Sequence, residues 1–239
     1  MPGIRNPQRP CPGGPSGSAI RNRRASALRL LVTAGPTREF LDSVRFLSNP
    51  SSGKMGFAVA TAAARAGHDV WLIHGPVALD PPADVTVVPV VSAAEMASAC
   101  RQIFPACDAV VMTAAVCDYR PSRRLSQKLK KSARGRTVRF VPTLDILAWM
   151  GRHRRAGQVL VGFAMEDHRP RANALGKLRR KNLDAIFLNG PANIASDRAE
   201  MDLLVRDQPW QRWPGRSKAA HARRIVTLVE RLARGRPGG

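Results

Sequence analysis

An arginine, an asparagine and a serine-glycine turn lie close together near the start of the chain. Arg45 and Asn49 precede the run 51–54, which reads Ser-Ser-Gly-Lys and lies between an apolar segment and an alanine-rich one. A strand, a glycine-containing turn and a helix in that order build a helix N-terminus that binds phosphate. Because cationic and amide side chains accompany this turn, the pattern predicts chemistry on a phosphorylated substrate.

Two common nucleotide-binding motifs do not match this region. The P-loop pattern GxxxxGK[ST] fails because Ser48 replaces its first glycine and Met55 replaces the residue that would hold magnesium. The dinucleotide pattern GxGxxG fails because residues 35–37 read Gly-Pro-Thr after the first apolar segment. A P-loop NTPase and a standard NAD site are therefore disfavoured, and an ordinary helix N-cap remains the structural alternative for residues 51–53.

The segment 118–136 is strongly basic and has no acidic residue after Asp118. Such a segment cannot bury itself, so we expect a mobile basic loop that becomes ordered only against an anion. Ligands of open α/β sheets bind outside the carboxyl ends of the strands, and this segment follows a strand, so one of its lysines could close over a phosphate. A solvated basic face is the alternative for Lys128, Lys130 and Lys131 taken singly.

Length and composition favour one α/β domain. The chain has 239 residues, of which 44% are hydrophobic, and this is sufficient for a buried core. We assign a disordered basic leader to residues 1–27, the domain to 28–235 and a tail to 236–239. No run of about 18 apolar residues is present, so no membrane span is expected. The cysteines form no CxxC pair, which argues against zinc and disulfides and predicts a cytoplasmic protein; they are Cys11, Cys100, Cys107 and Cys117.

The formal net charge of +22 raises the question of nucleic-acid binding. About half of the excess positive charge lies in the leader and in the last helix and tail. Aromatic residues make up only 5% of the chain, and no helix-turn-helix, zinc-finger or RNA-recognition motif stands out. The charge therefore predicts non-specific affinity for polyanions and no dedicated nucleic-acid partner.

Apolar strand-like segments alternate with helical ones along the chain, which predicts a Rossmann-like three-layer αβα fold with a mostly parallel sheet. Ser92 and Glu95 form a capping box at one of the helix starts. The predicted strands are Leu28–Thr33, Val70–His74, Val85–Val90, Ala109–Val116, Thr137–Val141, Val159–Ala164, Ala185–Asn189 and Met201–Arg206. The predicted helices are Gly56–Gly67, Ser92–Phe104, Thr143–His153, Pro170–Lys181 and Ser217–Leu232.

Six sequence motifs in order carry a resemblance to one enzyme family. They are VTAGPTREFLDSVRFLSNPSSGKMG, AAVCDYRP, QKLKK, TLDIL, VGFAME and KLRRKNLDAIFLN, and the match runs from Leu28 to Leu232. The set resembles phosphopantothenoylcysteine synthetase, also called phosphopantothenate-cysteine ligase, of the bacterial type. That type is usually fused behind a flavin-dependent decarboxylase. The decarboxylase half is absent here, so we expect a stand-alone synthetase for which a separate decarboxylase is a candidate partner.

The resemblance implies ligation of 4'-phosphopantothenate to L-cysteine in coenzyme A biosynthesis. In this family the pantothenate carboxylate attacks the α-phosphate of CTP, pyrophosphate leaves, and the cysteine amine then displaces CMP from an acyl-cytidylate. Magnesium offsets the charge of the triphosphate, and the family forms homodimers. ATP stays open as the nucleotide because the segment 141–145 departs from the family pattern, and this segment helps to read the base.

The resemblance also implies roles for individual residues. Lys128 stabilises charge on the α-phosphate, Asn49 contacts the acyl intermediate, and Arg45 binds a phosphate or the phosphorylated intermediate. The remaining implied positions are the triphosphate turn, the junction between substrate and nucleotide, and further nucleotide contacts: Ser51, Gly53 and Gly56; Ala114, Ala115 and Asp118; and Phe163, Lys177 and Lys181. No metal ligands are assigned.

Two other functions remain open at this point. The first is a non-catalytic nucleotide- or polyanion-binding protein with the same fold. The second is a nicotinamide-dependent oxidoreductase, which the missing GxGxxG pattern already disfavours. The chain also departs from the family at Gln127, where an acidic residue is common, and at Cys117, where a small residue is common.

Overall fold

An eight-stranded sheet with helices on both faces organises this chain, which is described from a computed structural model. The structure describes residues 27–132, 135–190, 193 and 196–235. The predicted leader up to residue 26, with Cys11, and the predicted tail 236–239 lie outside the described residues.

The helices and strands follow the predicted alternation with few exceptions. The strands are β1 (Arg29–Ala34), β2 (Arg38–Phe40), β3 (Phe46–Ser48), β4 (Asp69–His74), β5 (Thr86–Pro89), β6 (Ala109–Met112), β7 (Tyr119–Pro121), β8 (Phe140–Pro142), β9 (Val159–Met165), β10 (Ala185–Asn189), β11 (Arg198–Val205) and β12 (Gln211–Ser217). The α-helices are α1 (Lys54–Arg65), α2 (Ala93–Ile103), α3 (Ile146–His153), α4 (Pro170–Arg180) and α5 (Lys218–Arg234).

The main sheet has the strand order β12-β11-β10-β9-β6-β1-β4-β5. The six strands from β10 to β5 are parallel, and the last two, β11 and β12, continue the sheet in antiparallel pairing. The chain runs from β1 to β4 and β5 on one side, and then returns to place β6 on the other side of β1. In such sheets the crevice at this reversal, outside the carboxyl ends of the strands, is where ligands bind.

Both faces of the sheet are covered by helices, as the near-continuous apolar strands require. In β1, Leu30 and Val32 face α1 and α5, whereas Leu31 faces the layer of α2, α3 and α4. The α1–α5 layer packs small side chains such as Ala60 and Ala63 against the sheet. The predicted αβα layering is therefore confirmed.

The capping box predicted at the start of α2 is also confirmed. The Glu95 N–H donates to Ser92 Oγ over 3.2 Å, and Glu95 Oε2 accepts from the Val91 N–H over 2.8 Å. Two backbone donors of the helix start are satisfied in this way.

Three expectations about strands need correction. The strand predicted over Thr137–Val141 forms at Phe140–Pro142, and its partner is β7 in a small separate sheet, because a short apolar run carries no information about its partner. The strand predicted over Ala109–Val116 ends at Met112. Beyond that residue the chain follows the loop after β1, with the Ala115 N–H donating to Gly35 O over 2.9 Å.

The third correction concerns strands that the sequence analysis did not predict. β2 and β3 form a hairpin of three-residue strands, and β12 pairs with β11 at the sheet edge. Three-residue strands are too short to show an alternating pattern, and Pro214 within β12 is tolerated because an edge strand leaves one side unpaired.

Candidate functional site

A cavity of about 480 Å³ opens at the carboxyl ends of β6, β9 and β10. This is the side of the sheet at which the strand order reverses. Ten of the twelve predicted site residues line it, and they are Asn49, Ser51, Gly53, Gly56, Ala114, Ala115, Asp118, Phe163, Lys177 and Lys181. Arg45 and Lys128 do not line the cavity within this chain.

The N-terminus of α1 forms one wall of the cavity, and two glycines allow its position. Gly53 is the N-cap residue with a φ of +74°, a left-handed conformation that glycine adopts without strain. A Cβ atom on Gly56 would lie 2.5 Å from both Ala34 Cβ and Thr113 Oγ1. The helix therefore begins in direct contact with the ends of β1 and β6, and its free N–H groups face the cavity.

Asn49 links this wall to the loop after β6. Its side-chain amide donates to Ala115 O over 3.3 Å and to Val116 O over 3.1 Å. The start of the same loop is also bonded to β1, because Thr113 Oγ1 donates to Thr33 O over 2.6 Å. Asn49 and Ala115 are thus fixed beside each other at the cavity wall.

Two lysines approach the cavity from α4 and its end, and each pairs with a carboxylate. Lys177 Nζ lies 2.5 Å from Glu166 Oε1, and Lys181 Nζ lies 2.8 Å from Asp145 Oδ2. Burial tends to raise the pKa of the Asp145 carboxyl, but the hydrogen bonds from Lys181 and from the Ala148 N–H lower this pKa below its ordinary value. Asp145 therefore stays ionised and holds Lys181 at the cavity wall.

An aromatic side chain supplies an apolar part of the wall. Phe163 lies at the end of β9 and stacks on Phe187 of β10, with ring centroids 5.0 Å apart. The ring is only partly buried and lines the cavity. A planar apolar surface of this kind suits a base or another flat group.

Arg45 takes part in a different arrangement, centred on Asp42. The fully buried Asp42 carboxylate accepts the N–H groups of Val44, Arg45 and Leu129 over 2.8, 2.8 and 3.0 Å, and the Arg45 Nε over 2.9 Å. Arg45 Nη2 in turn donates to Leu129 O over 2.6 Å. These contacts lower the pKa of the Asp42 carboxyl, the Arg45 backbone N–H contributing most and the Leu129 N–H next.

This arrangement changes the interpretation of the basic segment 118–136. We expected a loop that orders only against an anion, but the anion already present is Asp42, which holds the Leu129 peptide together with Arg45. Tyr119–Pro121 of the same segment forms β7, so an irregular loop throughout is not observed. Lys128, next to the held peptide, is exposed. Residues 133 and 134 lie outside the described residues.

Several residues of the cavity wall were not predicted from the sequence. Asn189 is the last residue of a correctly predicted strand, and its place at a strand end was a usable signal. Lys218, the first residue of α5, also lines the cavity and was not predicted. Lys54, the first residue of α1, lines the cavity too and belongs to the run 51–54 that the sequence pattern singles out. No local pattern distinguishes Lys218 from the many other cations of the last helix.

In the described parts of the chain, no group of three or more His, Cys, Asp and Glu side chains is arranged to hold a metal ion. Within the same residues, no helix combines the length and apolar character needed to cross a bilayer.

Comparison with known proteins gives a match over nearly the whole described chain. The family model of the DNA/pantothenate metabolism flavoprotein C-terminal domain matches residues 25–232. The Coenzyme A biosynthesis bifunctional protein CoaBC of Bacillus subtilis (strain 168) is 43% identical over 178 residues, which are 74% of this chain and 44% of that protein. A Cysteine/Cysteine sulfinic acid decarboxylase from an unknown prokaryotic organism is 43% identical over 219 residues, which are 88% of this chain and 61% of that protein. This chain thus spans less than two thirds of either relative.

A solved structure supports the same assignment of the fold. The crystal structure of the C-terminal domain of Coenzyme A biosynthesis bifunctional protein CoaBC superposes with a TM-score of 0.76 at 37% sequence identity. The alignment covers 87% of this chain and 96% of that domain. The likeness therefore extends over nearly all of that domain.

Proposed function

Because the chain belongs to the family of the DNA/pantothenate metabolism flavoprotein C-terminal domain, we propose that it ligates 4'-phosphopantothenate to L-cysteine in coenzyme A biosynthesis. CTP is the proposed nucleotide and an acyl-cytidylate the proposed intermediate. A homodimer in the cytoplasm is the form in which we propose that it acts.

The observation that carries this proposal is the convergence of the predicted residues. Ten residues chosen from widely separated motifs line one cavity at the reversal of the strand order. The walls combine free helix N–H groups, lysines, an amide and an aromatic ring. A triphosphate and a carboxylate repel each other in water, so a cationic, preorganised site is what their reaction needs.

The proposed reaction has two steps that balance. In the first, a carboxylate oxygen of 4'-phosphopantothenate forms a bond to the α-phosphorus of CTP, and the bond from that phosphorus to the bridging oxygen breaks as pyrophosphate leaves. In the second, the cysteine amine forms the amide bond, the acyl C–O bond breaks, CMP leaves, and the amine proton passes to solvent. Donors near the acyl oxygen stabilise the negative charge that develops there.

Residues of this chain fit the two steps as follows. The amide of Asn49 lies beside Ala115 on the cavity wall, where it can donate to an acyl oxygen without adding charge. The Asp118 carboxylate on the same wall is suited to a magnesium ion that the triphosphate carries. That ion, when bound, neutralises phosphate charge and polarises the phosphorus centre.

Lys128 is proposed to stabilise charge at the α-phosphate, and this role depends on the segment that carries it. The neighbouring residue Leu129 is held at both of its backbone groups: its N–H donates to Asp42, and its C=O accepts from Arg45. We therefore propose that Arg45 positions the lysine segment, in addition to the contact with the intermediate that family resemblance implies.

The second candidate is a binding protein without turnover. It is favoured by one observation, the position of Arg45 and Lys128 outside the cavity wall of their own chain. Such a protein would bind CTP and release no pyrophosphate.

The test combines 4'-phosphopantothenate, L-cysteine, magnesium and either CTP or ATP with the purified chain, and measures pyrophosphate and amide product. We expect Lys128→Gln to lower the rate of pyrophosphate release by about a hundredfold, the loss that follows removal of one transition-state donor. Arg123→Gln is the matched control, because Arg123 is an exposed cation of the same segment. Equal rates in wild type and Lys128→Gln would remove the role of Lys128, and CTP binding without any product would favour the second candidate.

A further inference from the structure

Two helices begin at the same end of the cavity, and each begins with a lysine. Lys54 is the first residue of α1 and Lys218 is the first residue of α5, and both line the cavity. A helix N-terminus carries a partial positive charge. Two lysines and two helix N-termini thus place positive charge around one small volume.

Lys218 is in an environment that disfavours its own charge. Its Nζ donates over 3.4 Å to the neutral Asn193 O. Burial lowers the pKa of Lys218, and the charge of Lys54 lowers it further, while Asp197 acts in the opposite sense. The two ammonium groups therefore repel each other in the cavity unless an anion lies between them.

The Asp197 carboxylate offsets the repulsion between the Lys54 and Lys218 ammonium groups only in part. Its Oδ1 lies 2.6 Å from Lys54 Nζ, and its side chain is 84% exposed, against 37% for Lys54. The Asp197 backbone is fixed, because its carbonyl oxygen accepts the Lys218 N–H over 2.9 Å. The exposed carboxylate can rotate away from Lys54 without leaving a buried partner behind.

We propose that Lys54 and Lys218 form a clamp for two adjacent phosphates of a nucleoside triphosphate, and that Asp197 is its internal competitor. A pyrophosphate unit supplies oxygens to both lysines at once and to the N–H groups at the start of α1. The first N–H of α5 already donates to Asp197 O, so α5 contributes the Lys218 side chain. When it binds, the Asp197 carboxylate gives up Lys54. Lys218 thereby becomes a binding residue for the part of the nucleotide that leaves as pyrophosphate.

This clamp rests on the proposed function for its ligand, but its chemistry can be tested by binding alone. The phosphate monoester of 4'-phosphopantothenate has the same chemistry as a nucleotide phosphate. A pyrophosphate unit is the proposed ligand because its two phosphates can offer oxygens to both lysines at once.

The experiment titrates CTP, CMP, inorganic pyrophosphate and 4'-phosphopantothenate into the full chain by calorimetry at constant ionic strength. We expect Lys218→Gln to weaken CTP and pyrophosphate by about tenfold to a hundredfold, the value of one hydrogen bond to a charged group. Binding of CMP and 4'-phosphopantothenate should change by less than about twofold. Arg223→Gln is the matched control, since it removes one positive charge from an exposed position on the same helix.

Asp197→Asn is a second variant, and it should change the affinity for pyrophosphate in the opposite direction. Loss of an exposed competitor should tighten pyrophosphate binding by about twofold to fivefold. Thermal unfolding of each variant shows whether it is folded. If Lys218→Gln does not fold, the effect of Asp197→Asn on pyrophosphate binding still tests the clamp.

The possible results separate this clamp from the ligase proposal. Lysine-dependent pyrophosphate binding in a chain that forms no amide product supports the clamp and refutes the ligase. Normal product formation with an unchanged ratio of CTP to CMP affinity in Lys218→Gln refutes the clamp alone. Loss of 4'-phosphopantothenate binding instead of pyrophosphate binding, or weaker pyrophosphate binding in Asp197→Asn, also overturns it.

Discussion

Replacement of Gly56 by alanine tests whether the close approach of α1 to the sheet builds the cavity. The added Cβ would lie 2.5 Å from Ala34 Cβ and Thr113 Oγ1 and 3.0 Å from Thr33 O. Carbon atoms in contact lie about 3.5 Å apart or more, so the helix start must retreat by about 1 Å. Thr113 cannot easily rotate away, because its hydroxyl donates to Thr33 O over 2.6 Å.

The expected cost follows from two opposing terms. Overpacking against strand ends costs about 3 kcal/mol at the upper end of its usual range. Alanine in a helix is about 1 kcal/mol more favourable than glycine. The free energy of unfolding should fall by about 2 kcal/mol, and Tm by about 4–8 °C for a domain of this size.

Function should be affected more strongly than stability. A displacement of about 1 Å at a reacting group can reduce a rate about a hundredfold. Calorimetry gives Tm, and the pyrophosphate assay gives the rate for protein that is shown to be folded at the assay temperature.

Gly176→Ala is the matched control, since Gly176 also lies within a helix. An added Cβ there would contact only the mobile end of the Arg180 side chain, at 2.8 Å. We expect a gain in stability of up to about 1 kcal/mol and no change in rate. If Gly56→Ala behaved like Gly176→Ala in both measurements, the argument from close packing would be refuted.

Two further predictions concern ionisable groups. The folded-state pKa of Asp42 lies below its unfolded value, so its contribution to stability is complete above about pH 4 and is lost as pH falls further. Asp42→Asn should therefore be less stable than wild type at pH 7 and should lose less stability below about pH 4; parallel curves in urea titrations would contradict this. Burial raises the pKa of Cys100 to about 12, so mass spectrometry should find its thiol unmodified by iodoacetamide at pH 8 and modified in urea. Rapid modification of the native protein would show that Cys100 is accessible.

The parallel part of the sheet could be predicted because its strands are short, continuous apolar runs. Leu30, Leu31 and Val32 are fully buried, as such a run implies. Pairing could not be predicted in the same way. The strand at Phe140–Pro142 pairs with β7 outside the main sheet, and the antiparallel edge strand β12 contains Pro214 and Gly215, which usually argue against a strand.

The candidate site was predictable where one continuous motif supplies it. Asn49, Ser51 and Gly53 are close in sequence and also line one wall of the cavity. Lys218 was not predictable, because only the packing of α5 beside α1 brings it to Lys54. Asp42 was missed for another reason. Its function is to satisfy backbone N–H groups, including that of the distant Leu129, and no sequence pattern records such long-range hydrogen bonds.

Part of the cavity wall comes from α1 and part from α5, and α5 is synthesised after every described strand of the sheet. A nascent chain can therefore assemble strand after strand of its parallel sheet while this pocket still has an open side. The same helix covers Phe187 and Trp213. Until α5 packs on the sheet, the growing domain therefore exposes an aromatic surface that is prone to aggregation. Completion of the pocket and burial of that surface therefore both wait for the synthesis of α5.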